Sequence, residues 1–213
     1  MYNYLKKLQQ LQHTELTFRK YQLAIWLMLV YGFIVDRLIY ALKEPVLRKC
    51  NFTVIMIIFS IMAIIGVIMS QYNEEILKNF ISYNLIIISF GIAFSAAGID
   101  YHKENIDDIT IVTIVITFMM VLLASFVPNF FKRIEKLLLI FLIIIAIYEI
   151  IFLVVGAPKL LFGIFSQIFW SLSIGYYWIR LQTKKYTLYQ AINGTIYLYI
   201  VIMSLAISML LMQ

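Results

Sequence analysis

The chain has 213 residues, 63% of them hydrophobic and only 13% charged, with a mean hydropathy of +0.94. Soluble domains are nearer half apolar and a quarter charged, so this composition excludes a water-soluble globular protein and points to an integral membrane protein. The net charge of +6 comes from basic residues flanking apolar runs. There they set orientation and meet anionic headgroups, and no aromatic-interleaved basic face for nucleic acid is present.

In chain order, residues 1–20 set Lys6, Lys7, Arg19 and Lys20 around Leu5, Leu8 and Leu11. This pattern predicts a short amphipathic segment lying on the membrane surface. No small-residue cleavage site follows it, so it is not read as a cleavable signal. Residues 21–213 are expected to form a single bundle domain. Seven spans are drawn: 21–41, 52–70, 76–98, 109–127, 137–155, 160–179 and 188–212. Each is close to the about 20 helical residues that a hydrocarbon core requires. Between them Glu44-Pro45, Asn73-Glu74-Glu75, the acidic stretch 100–108, Pro128-Asn129 and Gly156-Ala157-Pro158 break the apolar runs. The fold class is therefore all-α: an integral membrane bundle of seven transmembrane helices, or six plus a re-entrant C-terminal helix.

Orientation follows from the basic residues. With the N-terminus inside, inner segments hold 11 Lys and Arg and outer ones 6, so a cytoplasmic N-terminus is expected. Small residues mark where helices approach: Ser60, Ala63 and Gly66 in the second span, Gly91, Ser95 and Gly98 in the third. The lone Cys50 excludes an internal disulfide and supplies no zinc framework.

The last two runs, 160–180 and 188–212, carry polar stripes at helical spacing. Gln167, Ser171, Ile174 and Trp178 share a face of the first; Asn193, Tyr197, Val201, Ser204 and Ser208 share one of the second. Polar groups in lipid must find partners, so these stripes are expected to face other helices or an internal cavity. The same segment carries a resemblance. Gly175-Tyr176-Tyr177-Trp178-Ile179-Arg180, followed by Ala191-Ile192-Asn193-Gly194-Thr195-Ile196-Tyr197-Leu198-Tyr199, resembles the last two helices of the Bax inhibitor (transmembrane Bax-inhibitor-motif) family. The step Phe18-Arg19-Lys20-Tyr21 resembles that family's entry into its first helix. In the family the first of the two helices ends in Tyr-Asp and the second carries Leu-Tyr-Leu-Asp. Here the matching positions hold Trp178 and Val201, so both aspartates are substituted. The resemblance implies a calcium leak, or a regulator of ion homeostasis and of cell death in eukaryotic settings. It also implies that the pH- and calcium-handling carboxylates are missing from their usual places.

Glu149 is the sharpest residue for chemistry. It sits inside the fifth span in Tyr148-Glu149-Ile150, where an ionisable group costs at least about 2.5 kcal/mol unless paired, protonated or wet. Two readings stand: a cation or proton site formed with Gln167 and Asn193, or a neutral side chain bonded to Tyr148, Gln167 or Asn193. Asp36 and Asp100 fall near span ends and are read as interface residues; the 100–108 stretch, with His102, reads as a solvated outer loop, and His13 as interfacial. The triplets Asn51-Phe52-Thr53 and Asn193-Gly194-Thr195 match a glycosylation acceptor, yet both lie at or inside the membrane. No catalytic constellation, phosphate loop or metal motif is present, so neither enzymatic activity nor a cofactor is expected. The expected partners are the lipid bilayer, calcium or another cation, and other membrane proteins. A non-conducting interaction protein and an unrelated small permease or exporter subunit are the competing readings.

Overall fold

Backbone polar groups inside hydrocarbon are satisfied only within helices or closed barrels, and this chain takes the first solution. The computed structural model describes residues 15–47, 52–72, 75–98, 103–155, 159–210 and 212; the side chains of 42–47, 52–53, 56, 97, 103–105, 146–155 and 159–162 lie outside the described set. The helices are α1 Phe18–Leu47, α2 Phe52–Tyr72, α3 Ile76–Ala97, α4 Lys103–Phe126, α5 Pro128–Arg133, α6 Glu135–Val155, α7 Lys159–Gln182 and α8 Leu188–Leu210. Among the described residues there is no strand, only an isolated antiparallel bridge between Glu15 and Thr187.

Each of the seven expected runs is helical. Four stretches among the described residues are long and apolar enough to cross a membrane: Phe18–Ala41, Ile76–Ala96, Ile106–Phe126 and Leu188–Leu210. The structure thus supports an all-helical bundle with four such spans, a smaller number than the seven drawn from sequence. In α2 the qualifying stretch, Ile57–Tyr72, is shorter.

Some boundaries differ from expectation for physical reasons. Residues 1–14 of the expected surface segment lie outside the described set; Leu16 instead joins the bridge region, its N–H donating to the Tyr186 carbonyl at 2.6 Å. Glu44-Pro45 does not stop α1 at once: the helix runs on to Leu47, although proline supplies no N–H to the helical ladder. The stretch 100–108 is not all loop: from Lys103 it is helix, anchored by Ile106 and Ile109, which are buried. Pro128 starts α5 at a position that needs no N–H, and the residue before it leaves helical geometry.

Contacts group the chain into two compact units, Met1–Ile99 with Thr183–Ile200, and Asp100–Gln182 with Val201–Gln213. In the first, α3 packs on α2 through Phe59 and Phe90, whose rings meet edge-on at 5.2 Å. Gly66 lets α2 lie against Ile86 and the Ser82 carbonyl of α3. The α1–α3 seam is pinned by Tyr83, whose hydroxyl donates to the Met28 carbonyl at 2.7 Å, and by Tyr31 donating to Asn84 at 2.6 Å. Contacts rise together along α1, α3 and the start of α8: Tyr21 meets Tyr186 and Gly32 meets Tyr199, while Met28 meets Tyr83 and Asp36 meets Gly91. These three helices therefore run parallel.

In the second unit Trp178 of α7 donates its indole N–H to Ser125 of α4 at 3.3 Å. Phe131 of α5 fills the space left by Gly175 on α7. Near the other end of α4, Thr113 reaches the sulfur of Met209, and Gln167 of α7 donates to that of Met212. Thus α4 and α7 run parallel, with the C-terminal end of α8 beside both. Several buried hydroxyls bond back to their own helix, as Ser82, Ser89, Thr113, Ser173 and Thr195 do to the carbonyl four residues earlier, whereas those of Ser95 and Thr117 have no partner among the described residues. Such back-bonding keeps polar side chains satisfied where water is excluded.

The entry to α8 supplies one stability test. The Thr187 hydroxyl accepts from the Gln190 backbone N–H at 3.2 Å, so Thr187 caps the helix. Thr187→Ala is expected to lower stability by about 0.5–2 kcal/mol, measured by denaturant titration in detergent, with Thr187→Ser close to wild type. Equal loss in both variants would rule out the cap.

Candidate functional site

The buried face of α1 reads Tyr21, Ile25, Leu29, Gly32 and Asp36, at helical spacings of four and three. Its last member is a carboxylate only 7% exposed. The sequence reading put Asp36 at an interface because the first run ends at Ala41. Asp36 lies near the C-terminal end of the membrane-length stretch Phe18–Ala41 and is turned toward α3 and α8. Arg37, one residue on, is exposed and lies over the Tyr40 ring at 5.9 Å.

Two helices complete the site. From α8 the Tyr199 hydroxyl donates to Asp36 Oδ2. From α3 comes Gly91, where an added Cβ would lie 2.7 Å from Asp36 Oδ1. The glycine is what lets the carboxyl approach the helix backbone. Tyr83 and Phe90 wall the site, each edge-on to Tyr199 at 5.8 and 6.3 Å between ring centroids. Tyr83 and Tyr199 are both fully buried, and Asp36 Oδ1 has no hydrogen-bond partner. A carboxyl in such surroundings must be paired with a cation, protonated or locally solvated. Its side-chain hydrogen-bond partner is Tyr199.

The residues singled out from sequence fall elsewhere. The side chain of Glu149 lies outside the described residues. Gln167 belongs to the second unit and donates to Met212; Asn193 belongs to the first, buried, with its Oδ1 unpartnered. Trp178 and Val201 are buried at 4% and 3% exposure. Among the described residues no group of three His, Cys, Asp or Glu gathers as a metal centre would require.

Sequence reasoning passed over Asp36, Tyr199, Tyr83 and Gly91 as a group. One signal could have found them: Gly32 and Asp36 continue, one turn apart, the otherwise apolar stripe of α1. The partners on α3 and α8 leave no local trace.

The fold is all-helical, and its apolar helices fit a multi-pass membrane protein with a carboxyl enclosed among α1, α3 and α8. No family model, curated protein or solved structure matches the chain.

Proposed function

We propose that this chain is a multi-pass membrane protein acting as a cation leak, calcium being the first ion to test, with Asp36 as its cation-binding carboxylate. The observation that carries the proposal is Asp36 itself, buried within a membrane-length helix with one oxygen bonded to Tyr199 and the other unpartnered. Ionisable residues at such positions mark ion and proton pathways more often than they serve packing. In this reading the chain keeps the frame of the Bax inhibitor family, and the carboxylate absent at Trp178 and Val201 is supplied by the first helix.

The reading includes seven crossings with the N-terminus inside. Two observations bear on the number of crossings. Parallel α1 and α8 require an odd number of crossings if both span, and parallel α4 and α7 require α6 to return between them. An unbroken α8 of 23 residues favours crossing over re-entry.

The second reading, a non-conducting interaction protein, is favoured by the buried apolar Trp178 and Val201. The experiment is calcium flux into dye-loaded liposomes for wild type, Asp36→Asn and Glu149→Gln. Flux in wild type and Glu149→Gln, lost in Asp36→Asn, is the expected result. Loss in Glu149→Gln alone would move the site to Glu149. Absence of flux from correctly inserted wild type would sink the leak and leave the interaction protein.

A further inference from the structure

A second polar group lies in the first unit, on the side of α3 nearer its N-terminus. Gln190, Asn193 and Tyr197 stand at i, i+3 and i+7 of α8 and so share one face. That face reaches α2, because Gln71 Nε2 donates to the Tyr197 hydroxyl at 3.3 Å. On α3, Asn79, Ser82 and Ile86 likewise share one face. It also reaches α2, because a Cβ on Gly66 would meet Ile86 Cγ1 at 2.7 Å and the Ser82 carbonyl at 3.1 Å. The antiparallel register that sets Gly66 against Ser82 and Ile86 brings Ser70 of α2 level with Asn79. Polar residues from three helices therefore converge at one height.

Their hydrogen bonding is incomplete. Asn79 is fully buried, and neither its Nδ2 nor its Oδ1 has a partner; Asn193 Oδ1 and Gln190 Oε1 are also buried and unpartnered. Four such atoms at one level of the unit are not what a dry interface between helices tolerates, since each loses its hydration without replacement. The next residue before Asn79 is Lys78, half-exposed and paired with the exposed Glu75, so the group lies one step inside an aqueous surface. Carboxamides offer both donors and acceptors, and suit water or the oxygen-coordinated shell of a partly hydrated cation.

We infer that Asn79, Asn193 and Gln190 line a hydrated vestibule between α2, α3 and α8, which admits water and a partly hydrated cation from the side where α3 begins. The inference rests on the proposed leak for its cation and on the four unpartnered atoms for its water. The route continues along the parallel helices α3 and α8, where Tyr83 and Tyr199 separate the vestibule from Asp36.

The test uses the full chain with Cys50→Ala, reconstituted in vesicles, carrying Asn79→Cys, Asn193→Cys or Ile86→Cys. Ile86 is fully buried on the same α3 face and serves as the dry control. A charged, membrane-impermeant methanethiosulfonate present on both sides is expected to modify positions 79 and 193 at least ~10-fold faster than 86, the margin separating a wet site from local opening. Equal rates would overturn the vestibule. Asn79→Leu adds a readout that needs no cysteine. A hydrated site loses partners and the melting temperature in detergent falls, whereas a rise would show a dry, frustrated amide and overturn the inference. Fast modification together with unaltered flux in Asp36→Asn would keep the vestibule and remove Asp36 from the cation path.

Discussion

Tyr199→Phe is expected to destabilise the protein by about 1–3 kcal/mol, toward the upper end because the acceptor it abandons is a carboxyl. The hydroxyl it deletes is the donor to Asp36 Oδ2. Oδ1 is already unpartnered, so the variant strands the whole carboxyl in an apolar enclosure formed by Tyr83, Phe90 and Ile39. The ring itself remains, and no cavity forms, so the loss reports the bond and not the packing. Asp36→Ala combined with Tyr199→Phe separates the two contributions. Once the carboxyl is gone the missing hydroxyl costs little, and the pair should deviate from additivity by about 0.5–3 kcal/mol. Unfolding titrations in mixed micelles supply all four values. Additive losses would show that the two side chains act independently, against the geometry described.

Gly32→Ala is expected to destabilise by about 1–3 kcal/mol through overpacking, the reverse of the gain of up to ~1 kcal/mol that glycine-to-alanine gives in an unobstructed helix. The added Cβ would lie 2.8 Å from Tyr199 Cε2 and 2.9 Å from the Tyr83 hydroxyl oxygen. Neither ring has room to withdraw. Both are fully buried, and the Tyr83 hydroxyl is held by the Met28 carbonyl. Gly91→Ala adds a test aimed at the carboxyl, since its Cβ would meet Asp36 Oδ1 at 2.7 Å and Ile39 Cδ1 at 2.8 Å. It should weaken the Asp36–Tyr199 bond and reduce any calcium flux along with stability. Leu27→Ala, at an exposed apolar position on the same helix, should stay within about 0.5 kcal/mol of wild type. Melting curves in one detergent compare all three. A stabilised Gly32→Ala would mean that α1 does not approach Tyr199 this closely.

Much of the fold was legible because lipid leaves the backbone so few choices. An apolar run of about 20 residues in a bilayer has to be helix, and the runs marked from composition and breakers coincide with α1, α2, α3, α4, α6, α7 and α8. Gly66 and Gly91 also read correctly as places of close helix approach, because only small residues permit it. The burial of Asp36 was harder to see, and it matters most for the site. Near the end of an apolar run a carboxylate ordinarily meets the interface; here Tyr199 and Gly91, from two other helices, enclose it.

Hydropathy, the breakers and the basic flanks by themselves determined an all-helical, membrane-type chain and the approximate limits of its helices, since these depend on local pattern and on the solvent. Tertiary structure alone decided that Asp36 meets Tyr199 and Gly91, and that Asn79 shares a level with Asn193. Those residues lie many tens of positions apart, and only the parallel course of α1, α3 and α8 sets their relative heights. Helical periodicity indicates which residues share a face of one helix, but the partner of that face is chosen by packing between helices, which no single segment encodes.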